Sequence, residues 1–288
     1  MNKKDREAIQ QRGYLVENFR VFRLDDAALA PIPFHYHDFH KLIIFLSGTC
    51  DYIIEGREWH LAPRDIVFVR AGEIHRPIPQ SGVPYERIVI YIAPMFLERF
   101  HANDGDTLAR CFHSARDASS VMHLTEGHTH DLLFHIEKLE RVSREHGFAN
   151  KLYTEMLFIE FMILLNRAII GGELDTTAVT CDKKIQPVIE HLAAHITEPV
   201  DIDALAAKFF ISRSYLMHRF KDATGYGVRQ YVTKKRLHLS RTLLIEKNNE
   251  PVASIGTACG FTDYLSFLRA FKKEFKETPD EYRKAHQQ

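Results

Sequence analysis

Residues 251–275 read PVASIGTACGFTDYLSFLRAFKKEF. Pro251 suits the first turn of a helix, where its missing N–H costs nothing. Ile255 and Ala258 then fall on one face, Gly260 permits a sharp turn, and Phe261 follows as a core plug. Thr262 or Asp263 is placed to cap a second helix that buries Phe267 and Phe271 at i, i+4. The exposed face of that helix carries Tyr264, Leu265, Arg269, Lys272 and Lys273. A short helix, a tight turn and a helix with a polar exposed start make a helix-turn-helix.

The same device occurs earlier, in DIDALAAKFFISRSYLMHRFKDAT (201–224). Asp201 or Asp203 caps a helix burying Leu205 and Ala206, and Ser212 caps a second one burying Leu216 and Phe220. Arg213, Ser214, Met217, His218 and Lys221 face outward. One such pattern is a weak match; two, joined by a helix over 228–246 bearing Lys234, Lys235, Arg236 and Arg241, are not. They would present two helices to successive major grooves, about 34 Å apart. Helices are expected near 183–196, 201–208, 212–223, 227–246, 251–258, 263–275 and 279–285.

Matching pieces SRSYLMHRFKDATGYGVRQYV, KKRLHLSRTLL and IGTACGFTDYLSFLRAFKKEFKETPDEYR make 183–285 resemble the DNA-binding domain of AraC/XylS-type bacterial transcription regulators. The resemblance implies base-reading positions at Ser214, Met217 and His218 on the first recognition helix and at Tyr264, Leu265 and Arg269 on the second. Side-chain chemistry fits several of these. Arg269 can grip guanine O6 and N7, His218 can donate to a purine, and Met217 or Leu265 can meet a thymine methyl. Lys221, Lys234, Lys272 and Lys273 suit phosphates, which position without specifying. Two departures stand out: Glu277 occupies a place where the family usually carries glycine, and Leu265-Ser266 replaces a serine–aromatic pair.

Working back toward the N-terminus, the linker is expected at 171–182, opening on Gly171-Gly172. Before it, 150–170 reads as a helix apolar on more than half its circumference, which needs cover on two sides. One cover is a barrel and the other a second subunit. Segment 131–146 is an amphipathic helix with Leu132, Leu133, Ile136, Leu139 and Val142 on one stripe. From about Tyr14 to Ala93 the pattern is β: apolar runs at 42–46, 51–55, 58–61, 66–69 and 87–92 alternate with turn material that includes Pro77–Pro84. Short strands at about ten-residue spacing indicate a barrel or sandwich. The fold class is therefore α+β and multidomain, with a barrel-and-helices domain over 14–170 and an all-α double helix-turn-helix domain over 183–288.

His35-Tyr36-His37-Asp38-Phe39-His40-Lys41 followed by Gly48 has the spacing of a first cupin motif, and Arg64 to His75 follows the second. The segment resembles the small cupin barrel with which AraC-type regulators sense effectors. Cupin enzymes bind a metal through three histidines and a glutamate. His35, His37 and His75 fall on the histidine positions, but Lys41 stands in the glutamate's place, and an ammonium is no ligand. Arg64 and Arg70 replace a glycine and a proline of the second motif. Pocket histidines are expected rather than a metal site, and no cofactor is expected; a divalent metal, if bound, would use His35, His37 and His75. The effector pocket is expected to draw on Phe34, His35, His37, Trp59, His75, Arg87 and Tyr91, a set suited to a sugar or a small organic acid. His101, His113, His123, His128, His130 and His135 are expected at the surface.

Composition is consistent with this division. The 288 residues carry 38 basic and 38 acidic side chains. Divided at 181, the first part holds 20 basic and 25 acidic residues and the second 18 and 13, so net charges of −5 and +5 average to zero. Cys50, Cys111, Cys181 and Cys259 are isolated, which fits a reducing compartment. No signal peptide or membrane-spanning run is read, and the protein is expected in the cytoplasm. The expected partners are double-stranded DNA, a small-molecule effector, a second copy of the chain and RNA polymerase. An enzyme is not expected, for want of a nucleophile–base pair at motif spacing. The alternatives are a metal-dependent cupin enzyme with a DNA-binding tail, and a dimeric regulator that senses nothing.

Overall fold

The computed structural model describes Leu15 and residues 17–26, 31–101, 106–117, 119–172 and 174–286. Tyr14, Glu173 and the last two residues of the expected domains lie outside these. The chain divides into two compact units, residues 1–54 with 58–180, and residues 55–57 with 181–288.

In the first unit one sheet runs in the order β1-β7-β2-β5-β8-β9, with β1 Phe19–Asp26, β2 His40–Ser47, β5 Asp65–Val69, β7 Tyr85–Ile92, β8 Val121–Leu124 and β9 Leu174–Thr176. A second sheet places β4 Arg57–Leu61, β3 Cys50–Ile54 and β6 His75–Pro79 side by side. The strands expected from apolar runs are present. Others lie outside those runs, β9 among them. β1 is a run of mixed polarity, β8 has four residues, and β6 overlaps the proline-rich segment expected to be turn. Pro77 and Pro79 are tolerated in β6 because it forms the edge of its sheet, where a missing N–H breaks no ladder.

Side chains alternate across β2 and β7, yet both faces are covered. Leu42, Ile44, Ile88, Ile90 and Ile92 pack under the helices, whereas Phe39, Ile43, Phe45, Val89 and Tyr91 join Tyr52, Trp59 and Leu61 of the second sheet in a core between the sheets. The helices are α1 Pro94–Glu98, α2 Arg110–Asp117, α3 Glu126–Val142 and α4 Asn150–Ile170. α3 starts and ends earlier than its apolar stripe alone indicates. Its end is set by Asn150, whose Nδ2 donates to the carbonyls of Val142 (3.0 Å) and Glu145 (2.7 Å). α4 has the expected bounds, and its Leu157, Phe158, Phe161, Met162 and Leu165 are buried against α3 and the sheet. Part of the expected linker is not free chain, since Leu174–Thr176 pairs with β8 as an edge strand.

Arg64, at the position where the cupin motif has glycine, adopts φ 79°. A left-handed turn is thus held there by a residue type that does not favour it. His123 is no free surface histidine; its Nδ1 lies 2.7 Å from the buried Asp65 carboxylate.

The second unit is helical: α5 Gln186–Ala194, α6 Ile202–Lys208, α7 Arg213–Thr224, α8 Val228–Glu246, α9 Val252–Ala258, α10 Tyr264–Phe275 and α11 Pro279–Ala285. Caps fix these ends. Asp201 accepts from the amides of Asp203 and Ala204, Ser212 from Tyr215 and Asp263 from Ser266. Thr278 and Glu281 close a capping box. The α10–α11 turn uses Lys276 in the left-handed region (φ 65°), not Glu277, where the departure from the family was expected to act. Among the described residues no helix is long and apolar enough to cross a membrane.

Candidate functional site

α6–α7 and α9–α10 are built alike. In both, the amide two residues past the C-cap (Phe209 or Cys259) reaches back to a carbonyl: Ile211 to Ala206 at 3.0 Å and Phe261 to Gly256 at 3.1 Å. Leu216 and Phe220 anchor α7, and Phe267 and Phe271 anchor α10. With the anchors inward, Ser214, Met217, His218 and Lys221 of α7 and Tyr264, Leu265, Arg269, Lys272 and Lys273 of α10 are all exposed. Met217, Tyr264 and Leu265 are among the large exposed hydrophobic residues of the chain. Arg213 is exposed too, but Asp203 holds its guanidinium at 2.5 Å. His218 Nε2 sits 3.5 Å from Asp222.

The basic residues of α8 have a different use from the one their charge implies. Arg241 is buried, with its guanidinium 4.5 Å from the Phe275 ring centre and 4.7 Å from that of Tyr282. Arg236 donates to the carbonyls of Ile196 (2.8 Å) and Glu198 (2.6 Å). Lys234, read as a phosphate contact, is paired with Glu274 at 2.6 Å. These cations fasten helices together. At the start of the unit Asp182 accepts from the amides of Lys184 and Ile185, in the turn that leads into α5, and from Arg219 Nε at 3.0 Å. Burial pushes the Asp182 carboxyl up, but the Lys184 amide and the Arg219 guanidinium outweigh it and hold the group below the usual carboxylate range.

In the barrel, His35, His37 and His75 converge. His35 and His75 exchange backbone hydrogen bonds (3.1 and 2.9 Å), which brings two distant motifs together. The ring centres lie 5.1 Å (His35–His37), 4.3 Å (His35–His75) and 4.7 Å (His37–His75) apart. One ligand atom from each of the three lies within 4.8 Å of the others. Carbonyl oxygens fix two of the tautomers: His35 Nδ1 donates to Pro33 (2.8 Å) and His75 Nδ1 to Glu73 (2.9 Å). Their Nε2 atoms are buried without a hydrogen-bond partner. Burial, then the charge of Lys41, lowers the His35 pKa to about 4. Burial and the neighbouring cationic forms of His35, Lys41 and His37 take His75 well below its usual value. Both rings are neutral imidazoles at neutral pH.

Tyr91 stands 6.0 Å from His37, and Phe39 and Tyr52 border the same rings. The other expected pocket residues are committed elsewhere. Arg87 binds Asp26 (2.7 Å) and the Tyr85 carbonyl (2.7 Å), Trp59 donates to Ser119 (3.2 Å), and Phe34 lies under Arg76. Arg70 closes its turn on Glu73 rather than lining a site. Lys41 is buried on the inner face, opposite Tyr91 in the β2–β7 register. Its alternation with Phe39, Ile43 and Phe45 was the available signal that it is a lining residue.

Two family models match this chain. Residues 25–162 match the AraC-like ligand binding domain, and residues 205–285 match a helix-turn-helix domain. The chain belongs to the AraC family of transcription regulators. It is an AraC-family DNA-binding regulator with an N-terminal ligand-binding domain. Over 256 residues, 88% of this chain and of each relative, it is 25% identical to the HTH-type transcriptional activator RhaS of Shigella sonnei and to its Escherichia coli counterparts. Similar solved structures include an AraC-type transcriptional regulator from Chromobacterium violaceum (30% identity, 36% of this chain, 93% of that one, TM-score 0.34). The DNA-binding domain of AdpA in complex with a target DNA is another (25%, 36% and 94%, TM-score 0.35). ToxT from Vibrio cholerae covers more of the chain (14%, 93% and 98%, TM-score 0.36). The matched domains are those of a regulator, and RhaS, aligned over 88% of this chain, is a transcriptional activator and not a cupin enzyme.

Proposed function

We propose that the protein is an effector-controlled, homodimeric regulator that reads a repeated DNA site in the bacterial cytoplasm, with RNA polymerase as its protein partner at promoters. In this reading residues 14–170 sense and dimerise, 171–182 connect, and 183–288 bind DNA. The observation that carries it is the duplication: two capped helices, α7 and α10, each anchored by two buried residues and each with its first turn exposed. Ser214, Met217 and His218 read one half-site and Tyr264, Leu265 and Arg269 the other, while Lys221, Lys272 and Lys273 meet phosphates and Arg213 flanks them. The cations spent inside the unit leave a modest phosphate-facing charge, so base contacts and subunit pairing must supply the specificity.

α4 supports dimerisation. Leu152, Met156, Ile163 and Ile170 are exposed at 59%, 59%, 38% and 57%, and half-buried Ile159 completes a 4-3-4-7 stripe on the face away from the sheet. That spacing is a coiled-coil seam. The effector, a sugar or small organic acid, occupies the barrel beside His35, His37, His75 and Tyr91. It acts through its difference in affinity between two arrangements of the protein.

Sedimentation and DNA binding test the reading together. Wild type sediments as a dimer and protects two half-sites per subunit. Leu152→Glu with Met156→Glu gives a folded monomer whose operator affinity falls by at least about tenfold, through loss of effective concentration. A monomeric wild type with undiminished affinity would contradict it.

A further inference from the structure

Phe210 carries a side chain that the helical unit does not use. It sits in the α6–α7 turn at φ 55° and is 96% exposed. Glycine or asparagine would hold that left-handed conformation with less strain. The residues on either side are committed. Phe209 packs on His191, with ring centres 5.6 Å apart, and half-buried Ile211 bonds its amide to the Ala206 carbonyl. In the second copy of the motif the same place holds Gly260, where a Cβ would stand 2.4 Å from the Thr197 carbonyl oxygen. Only the first copy has room for a side chain there, and it carries an aromatic ring turned to water. Strain kept at a residue with no use inside the fold points to a use outside it.

The position of the ring indicates what it meets. Ser212, Arg213 and Ser214 follow it and are exposed, as are Met217 and His218 further along α7. Phe210 stands two residues before Ser212, the cap of α7. A recognition helix enters the groove by its N-terminal end, so this turn is carried to the groove's rim and continues the DNA-facing surface. Charge agrees with this. Exposed Lys208 and Arg213 flank the ring in sequence, Arg213 sharing its charge with Asp203. An apolar ring between cations matches the edge of a duplex, where apolar deoxyriboses alternate with anionic phosphates. We propose that Phe210 packs its ring against the deoxyriboses at the rim of the half-site read by α7. Such a contact raises affinity without selecting a base. The inference rests on α7 being a reading helix and adds to it a contact of a different kind.

The test uses the full chain and a duplex that the wild type selects from a random-sequence library. Phe210→Gly and Phe210→Asn keep the left-handed turn and remove the ring; circular dichroism confirms that both fold. Each should bind the selected duplex at least about fivefold more weakly, from the lost apolar burial. The slope of affinity against salt should not change, since an apolar contact displaces no counter-ion from phosphate. Hydroxyl-radical cleavage, which attacks sugars, should rise at the edge of one half-site only. Phe210→Tyr, which restores a ring, should recover that protection and most of the affinity. Unchanged affinity and cleavage for Phe210→Gly, beside a loss for Met217→Ala with His218→Ala, overturns the contact and leaves α7 as a reading helix. No loss from either set overturns both. A changed salt slope, or weakening confined to particular bases, overturns the sugar assignment. Unchanged DNA binding with reduced transcription by RNA polymerase in vitro would put the ring on the polymerase, and overturns the proposal as well.

Discussion

Phe210 and Gly260 hold the same place in the two helix-turn-helix units, and both lie at positive φ, 55° and 89°. Each follows the first helix of its pair and leads into the buried or half-buried residue that precedes the recognition helix. The turn imposes the conformation; the residue type does not. Gly260 has a second constraint, because a Cβ there would stand 2.4 Å from the Thr197 carbonyl oxygen. Phe210 has no such neighbour and is 96% exposed.

The two positions therefore respond to substitution with opposite signs. Phe210→Gly removes left-handed strain that an L-residue carries at about 1–2 kcal/mol and gives part of it back as chain entropy. The expected gain is about 0.5–1 kcal/mol in urea denaturation of the helical unit, followed by circular dichroism.

Gly260→Ala combines strain with a clash against backbone that cannot rotate away. A loss of about 2–4 kcal/mol is expected in the same measurement. A neutral Gly260→Ala would mean that the α5–α6 loop yields freely at Thr197.

Arg241 is a structural cation, buried between Phe275 and Tyr282. Arg241→Met keeps much of its volume and loses the stacking between Phe275 and Tyr282, so the helical unit should lose about 2–3 kcal/mol. The barrel, reported by the fluorescence of Trp59, the chain's single tryptophan, should be unaffected. Operator affinity per folded molecule is expected to stay within about twofold, since the guanidinium does not face DNA.

His238 gives a pH dependence. Burial, then the charges of Lys235 and Arg241, lowers its pKa from 6.5 to about 3. A depressed folded-state pKa means that the unfolded chain binds the proton first. Stability is full above pH 6.5 and declines as pH falls toward 3. At pH 5 the contribution is about 2 kcal/mol of lost stability. His238→Gln should flatten that part of the profile for the helical unit; an unchanged slope would show that the ring is protonated when folded.

The helical unit was legible because its signals are local: caps, a turn residue and paired apolar positions within each segment. Ser212 caps its helix as read, and Asp201 and Asp263 resolve the two open choices of capping residue. What escaped depends on partners distant in sequence. Arg241 counts as a surface charge until its spacing from Leu237 and Leu244 places it on the buried face of α8. β6 was hidden by prolines that only an edge strand accepts, and β1 is recognisable mainly through its pairing with β7. The three histidines were visible by motif spacing. Their tautomers were not, since these depend on the carbonyls of Pro33 and Glu73.

If α7 and α10 read different parts of one site, a base-resolved footprint on the operator separates their contributions. Met217→Ala with His218→Ala should weaken protection at one half-site. Arg269→Ala should weaken it by about 1–3 kcal/mol at a single base pair of the other, about 34 Å away along the duplex. Uniform weakening over all sequences by Arg269→Ala, or the same bases affected by both sets of substitutions, would mean that the two helices do not divide the site between them.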